Sequence, residues 1–293
     1  MQLQRTMPGW FTKAVKWTSV LLAACVAFNA GSLCHAKSTT LSDTQFMLAP
    51  GADIPVVMLS VAAIFMPMAL NTAWVDPPER AARDRQSVNA FDRISTRHLS
   101  AAANSASNWV VGSAIAMPFA WSALDALHRP IRGPLIEAVL VSESILVTIG
   151  ITHIIKAAVR RDRPYIYNPS APDALRNSSD AHRSFFSAHT SETAAALVSF
   201  AAIQWQDRPG TPAAWLAIGA AVVAIPTVGA LRISAGRHYP TDVLAGAAVG
   251  TGIGLLVPWL HRRDTTENQS PSSISIAPIG VSGHPGFTLS AGF

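Results

Sequence analysis

Charge is what this chain has least of. Lys, Arg, Asp and Glu make up 13% of its 293 residues, about half the roughly 25% found in soluble domains. The polypeptide is therefore either a membrane protein or an unusually apolar helical one. Cysteine is nearly missing as well. Cys25 and Cys34 both lie in the first 36 residues, so a chain cut after Ala36 would contain none, which excludes a disulfide framework and any thiolate-ligated metal. Strand-like alternation is almost absent before residue 270, and the body reads as all-α. A concentrated surplus of positive charge is lacking too. The net charge is +5, of which Arg5, Lys13 and Lys16 supply three, and the rest is too weak and scattered for a nucleic-acid footprint.

What is present is organised in three parts. Residues 1–36 read as an export signal: a basic stretch, the apolar run Val20 to Phe28, and the small-x-small site Cys34-His35-Ala36. An uncleaved anchor helix is the alternative. Residues 37–263 hold six apolar stretches, 54–75, 109–127, 135–155, 193–205, 213–231 and 243–260. Four or five of them approach the roughly 20 residues that cross a bilayer. Glu137 and Glu143 interrupt the third and are costly in lipid unless they face the interior of a bundle. The expected fold is a bundle of about six core helices, embedded in a membrane or packed as a soluble body. The Arg-rich segment 76–108 reads as a loop plus an amphipathic helix, and 165–186 as a long polar loop of the kind that usually carries function. Residues 264–293 form a polar linker and then a β-hairpin about the turn signal Ser282-Gly283-His284-Pro285-Gly286.

Three polar islands break the apolar pattern. Lys156, with Arg163-Pro164 shortly after it, ends the third stretch. Arg suits bidentate phosphate contact, Lys supplies a point charge, and proline stops the helix and fixes where the guanidinium aims. Ser187-Ala188-His189 opens the fourth helix, where small residues expose backbone N–H groups that bind anions. Arg232 and His238-Tyr-Pro-Thr-Asp242 lie between the fifth and sixth. A carboxylate four residues from an imidazole, across a helix-starting proline, fixes its tautomer and leaves the other ring nitrogen free to attack. Taken singly these are a solvated basic helix end, an ordinary N-cap and a structural His–Asp pair. Taken together they supply three cations, two imidazoles and one carboxylate, all at helix ends that an antiparallel bundle brings to one face.

The pattern Lys156-(x6)-Arg163-Pro164, Ser187-Ala188-His189, Arg232-(x5)-His238-(x3)-Asp242 resembles the three-part signature of the type 2 phosphatidic acid phosphatase superfamily, which includes bacterial lipid phosphatases, secreted acid phosphatases and vanadium haloperoxidases. The resemblance covers roughly residues 135–260. It implies that His238 is a nucleophile forming a phosphohistidine, that Asp242 orients it, and that His189 is the general acid and then the base for water. It further implies that Lys156, Arg163, Ser187, Ala188 and Arg232 hold the phosphate, with no metal and no cofactor. Three positions depart from the family: Phe186 replaces a turn-setting proline, Ala188 a glycine, and Leu231 a serine. The implied substrate is a phosphorylated lipid or a small phosphate ester, and the implied place is the bacterial envelope, inner membrane or periplasm. A soluble periplasmic acid phosphatase, a vanadate-dependent haloperoxidase and an inactive membrane relative stay open as alternatives.

Overall fold

The computed structural model describes residues 44–70, 84–263, 274–281 and 284–291. The export segment 1–36, the linker 264–273 and Ser282-Gly283 of the turn signal lie outside the described residues. Six long helices carry the first unit: α1 (Pro50–Leu70), α2 (Ala101–Asp125), α3 (Arg132–Val159), α5 (Ala188–Asp207), α6 (Pro212–Ser234) and α7 (Pro240–Leu260), with a single turn, α4 (Asp173–Arg176), between α3 and α5. The last four long helices of this order each contain their apolar stretch whole, while α1 and α2 start before theirs and cover 54–70 and 109–125 of them. The starts follow from capping chemistry. Ser100, Ser187 and Thr211 accept backbone N–H groups of α2, α5 and α6, and Pro212 and Pro240 occupy first turns where a missing N–H costs nothing.

Helix α5 is the axis of the bundle. Its Ala194, Ala195, Ala196, Leu197, Phe200 and Ile203 are buried, and α2, α3, α6 and α7 all pack on it. The α5–α7 contact is unusually close. A Cβ at Gly250 would lie 2.1 Å from the carbonyl oxygen of Ser191, and one at Gly246 would lie 2.7 Å from that of Ser187. Only glycine lets the two backbones meet there. Charged groups inside the bundle face partners. Glu137 accepts Ser122 Oγ at 2.9 Å and Gln204 Nε2 at 2.6 Å, while Arg208 bridges Asp125 and Gln204. Glu143 faces His261. Both acids that interrupt α3 thus point to the interior; hydrogen bonds offset the desolvation of Glu137, while Glu143 Oε2 stands 3.6 Å from His261 without a hydrogen bond among the described residues.

The Arg-rich segment differs from its sequence reading. In place of an amphipathic helix, its described part forms two 3₁₀ turns, Arg85–Ser87 and Arg93–Arg97, and its last residues are the opening turns of α2. The cause is local competition for the backbone. Asp84 and Asn89 side chains accept nearby N–H groups, and Arg93 donates to the Val88 carbonyl at 2.9 Å. The loop 165–186 is likewise more buried than its composition suggests. Tyr165, Ile166, Tyr167, Ala171 and Ala181 form a small core of their own with Val88 and Tyr239.

The second unit, from Arg262 onward, contains β1 (Ile274–Val281) and β2 (His284–Ala291). They pair antiparallel with Ile274 opposite Ala291 and Val281 opposite His284.

Candidate active site

The end of α3, the start of α5, the end of α6 and the start of α7 meet at one end of the bundle, and the three islands meet with them. His238 is the centre. It is 1% exposed. Burial first, and then the charges of Arg163, Lys156, Arg232 and His189, hold its pKa well below the ordinary histidine value. Its ring is therefore neutral at physiological pH, the state a nucleophilic nitrogen requires. His238 Nδ1 lies 3.5 Å from Asp242 Oδ2 and has no hydrogen-bond partner among the described residues. The side facing the carboxylate is thus Nδ1, and Nε2 is the nitrogen left for chemistry.

Asp242 is fully buried. It accepts the backbone N–H of Tyr239 at 3.0 Å, capping α7, together with the Ser184 hydroxyl and the Arg161 guanidinium. Arg161 also donates to Asp92 Oδ2 at 2.7 Å and to Thr241 Oγ1 at 2.7 Å, and its guanidinium stacks 4.1 Å over the Tyr239 ring. Asp92 in turn accepts Thr241 N at 3.0 Å. Burial would raise the pKa of Asp92, but hydrogen bonds from Asn89, Thr241 and Arg161 hold it below the usual carboxylate value. A chain of charged hydrogen bonds therefore runs from the 3₁₀ turns through Arg161 to the carboxylate behind His238.

The cations are positioned from several elements. Lys156 donates to the Arg183 carbonyl at 2.8 Å. Arg163 is held by Asp180, through Nε to the carbonyl at 2.9 Å and NH2 to the carboxylate at 2.7 Å. Arg232 donates to Asn104 Oδ1 at 2.9 Å and Ser107 Oγ at 3.1 Å. His189 Nε2 lies 2.8 Å from Asn108 Oδ1, so that nitrogen is the donor. Burial, and then Arg232, Arg163, Lys156 and Arg237, push the His189 pKa down to about 3. Ser187 is the N-cap of α5, accepting Thr190 Oγ1 at 2.9 Å, and Ala188 is the first residue of that helix. The turn before His238 depends on Gly236. It has φ +67°, and a Cβ there would lie 2.2 Å from the His98 carbonyl oxygen.

All eight residues singled out in the sequence thus lie in one neighbourhood. Others escaped notice. Arg161 looked like one more cation at a helix end, and nothing in Asp92 or Ser184 marks a partner 149 or 58 positions away. Asn104, Ser107 and Asn108 did carry a signal. Their three- and four-residue spacing puts amide and hydroxyl groups on one face of an otherwise apolar helix.

Compared with models of protein families, residues 137–266 match the PAP2 superfamily. Two curated relatives, both named decaprenylphosphoryl-5-phosphoribose phosphatase, come from Mycobacterium tuberculosis strains CDC 1551 / Oshkosh and ATCC 25618 / H37Rv. Each is 37% identical over 113 residues, which is 37% of this chain and 52% of the relative. The chain therefore spans about half the length of the curated relatives it matches. No solved structure matches it. The three islands converge on one buried histidine, and the region similar to the PAP2 superfamily, residues 137–266, spans all of them.

Proposed function

We propose that this protein is a phosphatase of the bacterial envelope that hydrolyses a phosphomonoester or diphosphate of a membrane lipid through a phosphohistidine on His238. The observation that carries the reading is the neutral, buried His238, backed by Asp242 and surrounded by Lys156, Arg163, Arg232 and His189.

His238 Nε2 attacks phosphorus while the three cations and the N–H groups at the start of α5 stabilise the equatorial oxygens, where charge concentrates in phosphoryl transfer. The bond to the leaving oxygen breaks, and that oxygen takes a proton from His189. In the free site His189 is neutral. The substrate's negative charge offsets the cations that depress its pKa, so binding is what allows it to carry the proton. Asp242 stabilises the imidazolium-like phosphohistidine. Water then attacks phosphorus, His189 takes its proton, and His238 leaves with orthophosphate released. Every step is carried by protein side chains, and none calls for a metal at the phosphorus.

Two features support a lipid. An apolar groove of about 380 Å³ between α2, α5 and α6 is lined by Trp109, Val110, Met117, Leu197, Val223 and Ala224, and Trp109 directly follows Asn108, the partner of His189, in the chain. The outer faces of the bundle are also apolar. Leu59, Leu216, Val222, Leu244 and Leu260 are each 60% exposed or more, and α3, α6 and α7 are long and apolar enough to cross a membrane. The mycobacterial relatives act, by name, on a decaprenyl-linked phosphate, and a polyprenyl chain suits the groove. The test is phosphate release from detergent-dispersed polyprenyl-linked phosphate, phosphatidic acid and a soluble aryl phosphate, with His238→Ala as control and rapid quench to trap acid-labile phosphoprotein. Lipid preference with a trapped phosphohistidine, both lost in the variant, is the expected result. Turnover of the aryl phosphate alone would move the protein to the soluble acid phosphatase reading, and unchanged turnover in His238→Ala would reject the nucleophile.

A further inference from the structure

At the end of the bundle remote from the phosphate site, three ionisable side chains from three helices converge: Asp53 in the first turn of α1, Glu143 in the middle of α3 and His261 just after α7. All three are 9% exposed or less. Counting about 1.5 Å per helical residue, Glu143 lies roughly 20 Å from Lys156 along α3, and His261 roughly 28 Å from Asp242 along α7. The mechanism uses none of the three.

The bonding pattern of His261 fixes its chemistry. Nδ1 lies 2.7 Å from the Val257 carbonyl oxygen. A carbonyl only accepts, so Nδ1 carries the proton, and the lone pair of a neutral ring sits on Nε2. Nε2 in turn faces two carboxylates, Asp53 Oδ1 at 2.9 Å and Glu143 Oε2 at 3.6 Å. The other oxygen of Asp53 is engaged by the Ala49 N–H at 2.8 Å. Glu143 Oε2 is buried and has no hydrogen-bond partner among the described residues. A proton on Nε2 makes one good bond, to Asp53. It leaves Glu143 Oε2 orphaned in a medium where an unpaired charge is costly, with a net negative charge on the trio. A doubly charged cation bound by Nε2, Oδ1 and Oε2 satisfies all three atoms and brings the net charge to zero.

The distances suit such an ion. Tetrahedral ligands at about 2.0–2.1 Å from zinc stand roughly 3.3–3.4 Å apart. The two measured separations bracket that value, and the three ligand atoms all lie within 4.8 Å of one another. The His261 N–H bonded to a backbone carbonyl is also the usual outer partner of a metal-bound imidazole, fixing its tautomer and aim. One imidazole with two carboxylates favours a transition ion of the zinc or manganese kind over magnesium or calcium, which take oxygen alone. We propose that Asp53, Glu143 and His261 bind a divalent transition-metal ion that clamps the start of α1, the middle of α3 and the end of α7. A backbone bond from Met47 N to the His261 carbonyl, 2.9 Å, already draws the same segments together. The ion is structural, far from the reacting phosphorus.

The test uses the full chain in detergent, purified without a polyhistidine tag, with zinc as the probe. After desalting, elemental analysis is expected to find about one zinc per chain. Stripping with a chelator lowers the melting temperature, and added Zn²⁺ restores it while Mg²⁺ does not. The isosteric variant Glu143→Gln, expected to fold and to keep its phosphatase activity at 25 °C, neither retains zinc nor gains stability from it. His261→Asn serves as a second ligand-deleted variant. If the wild type holds no zinc after reloading and its melting temperature ignores the ion, the trio is an imidazolium ion pair and the proposal is wrong. It is equally wrong if Glu143→Gln binds zinc as well as the wild type.

Discussion

Asp242 does more than aim a histidine. It caps α7 through Tyr239 N, accepts Ser184, and neutralises Arg161, which also holds Asp92. A reading limited to the His–Asp pair expects Asp242→Asn to slow turnover and little else. The three-way bonding predicts a second effect. The new amide must present a donor to groups that are themselves donors and leaves Arg161 short of a counter-charge, at about 3–5 kcal/mol for a broken buried pair. Denaturant melts should show that loss alongside the fall in kcat. Substituting His238, the proposed nucleophile, should cost roughly 10,000-fold in kcat or more, measured as phosphate release. The depressed imidazoles also set a pH dependence. With His189 at about 3 in the folded protein against the ordinary histidine value of 6.5, the unfolded chain holds a proton between those values that the folded chain does not. The stability of the free protein is therefore complete above about pH 6.5 and is lost as pH falls toward 3. Melting temperatures from pH 7 to 4 should show this slope. It should be shallower in His189→Asn and in the presence of vanadate, whose charge offsets the surrounding cations.

At the scale of the element, the site depends on how closely α7 lies on α5. Asp242 belongs to one helix, and Ser187, Ala188 and His189 to the other. The Ser187 N–H bonds the Asp242 carbonyl at 3.1 Å, so helix spacing and site geometry are one variable. Gly250→Ala places a methyl 2.1 Å from the Ser191 carbonyl oxygen, which the backbones relieve only by moving apart. The expected result is a loss of about 1–3 kcal/mol with kcat reduced more than KM, checked by thermal melts and steady-state kinetics. Gly252, on the same helix, where an added Cβ would meet nothing within 4 Å, is the control: Gly252→Ala should be neutral or stabilising. The same scale explains where sequence reading fell short. The six apolar stretches located the helices because burial and membrane length both select long apolar runs. The segment 84–100 misled because its side chains bond their own backbone, a choice that hydrophobic periodicity does not register.

For the whole molecule, the question is what surrounds the bundle. Trp205, Trp215 and Trp259 are 40%, 58% and 62% exposed and stand at the end of α5, the start of α6 and the end of α7. All three therefore lie at the end opposite the phosphate site. In the sequence, Arg262 and Arg263 follow His261, the residue after α7. Exposed indoles with adjacent cations are the arrangement seen where a helix bundle meets a bilayer interface, and the faces between carry exposed Leu216, Val222, Leu244 and Leu255. Alkaline carbonate should accordingly leave the protein in the membrane fraction, with detergent needed to extract it. Release by carbonate would mean that the apolar faces are covered by another protein surface.

The order and spacing of Lys156, Arg163, Ser187, His189, Arg232, His238 and Asp242 were enough to point to the family resemblance and to the proposed phosphate site, because phosphoryl transfer demands those residue types and helix ends present them. The apolar runs were enough for an all-α bundle. Everything that joins distant segments needed the fold. Arg161 meets Asp92 and Asp242 across 69 and 81 positions, His189 meets Asn108 across 81, and His261 meets Asp53 across 208. A local pattern encodes a helix and the residues on its face, since both are set within a few turns of chain. Which buried charge finds which partner is decided by the packing of whole helices. Desolvation then makes those pairings obligatory, and no window of sequence contains both members.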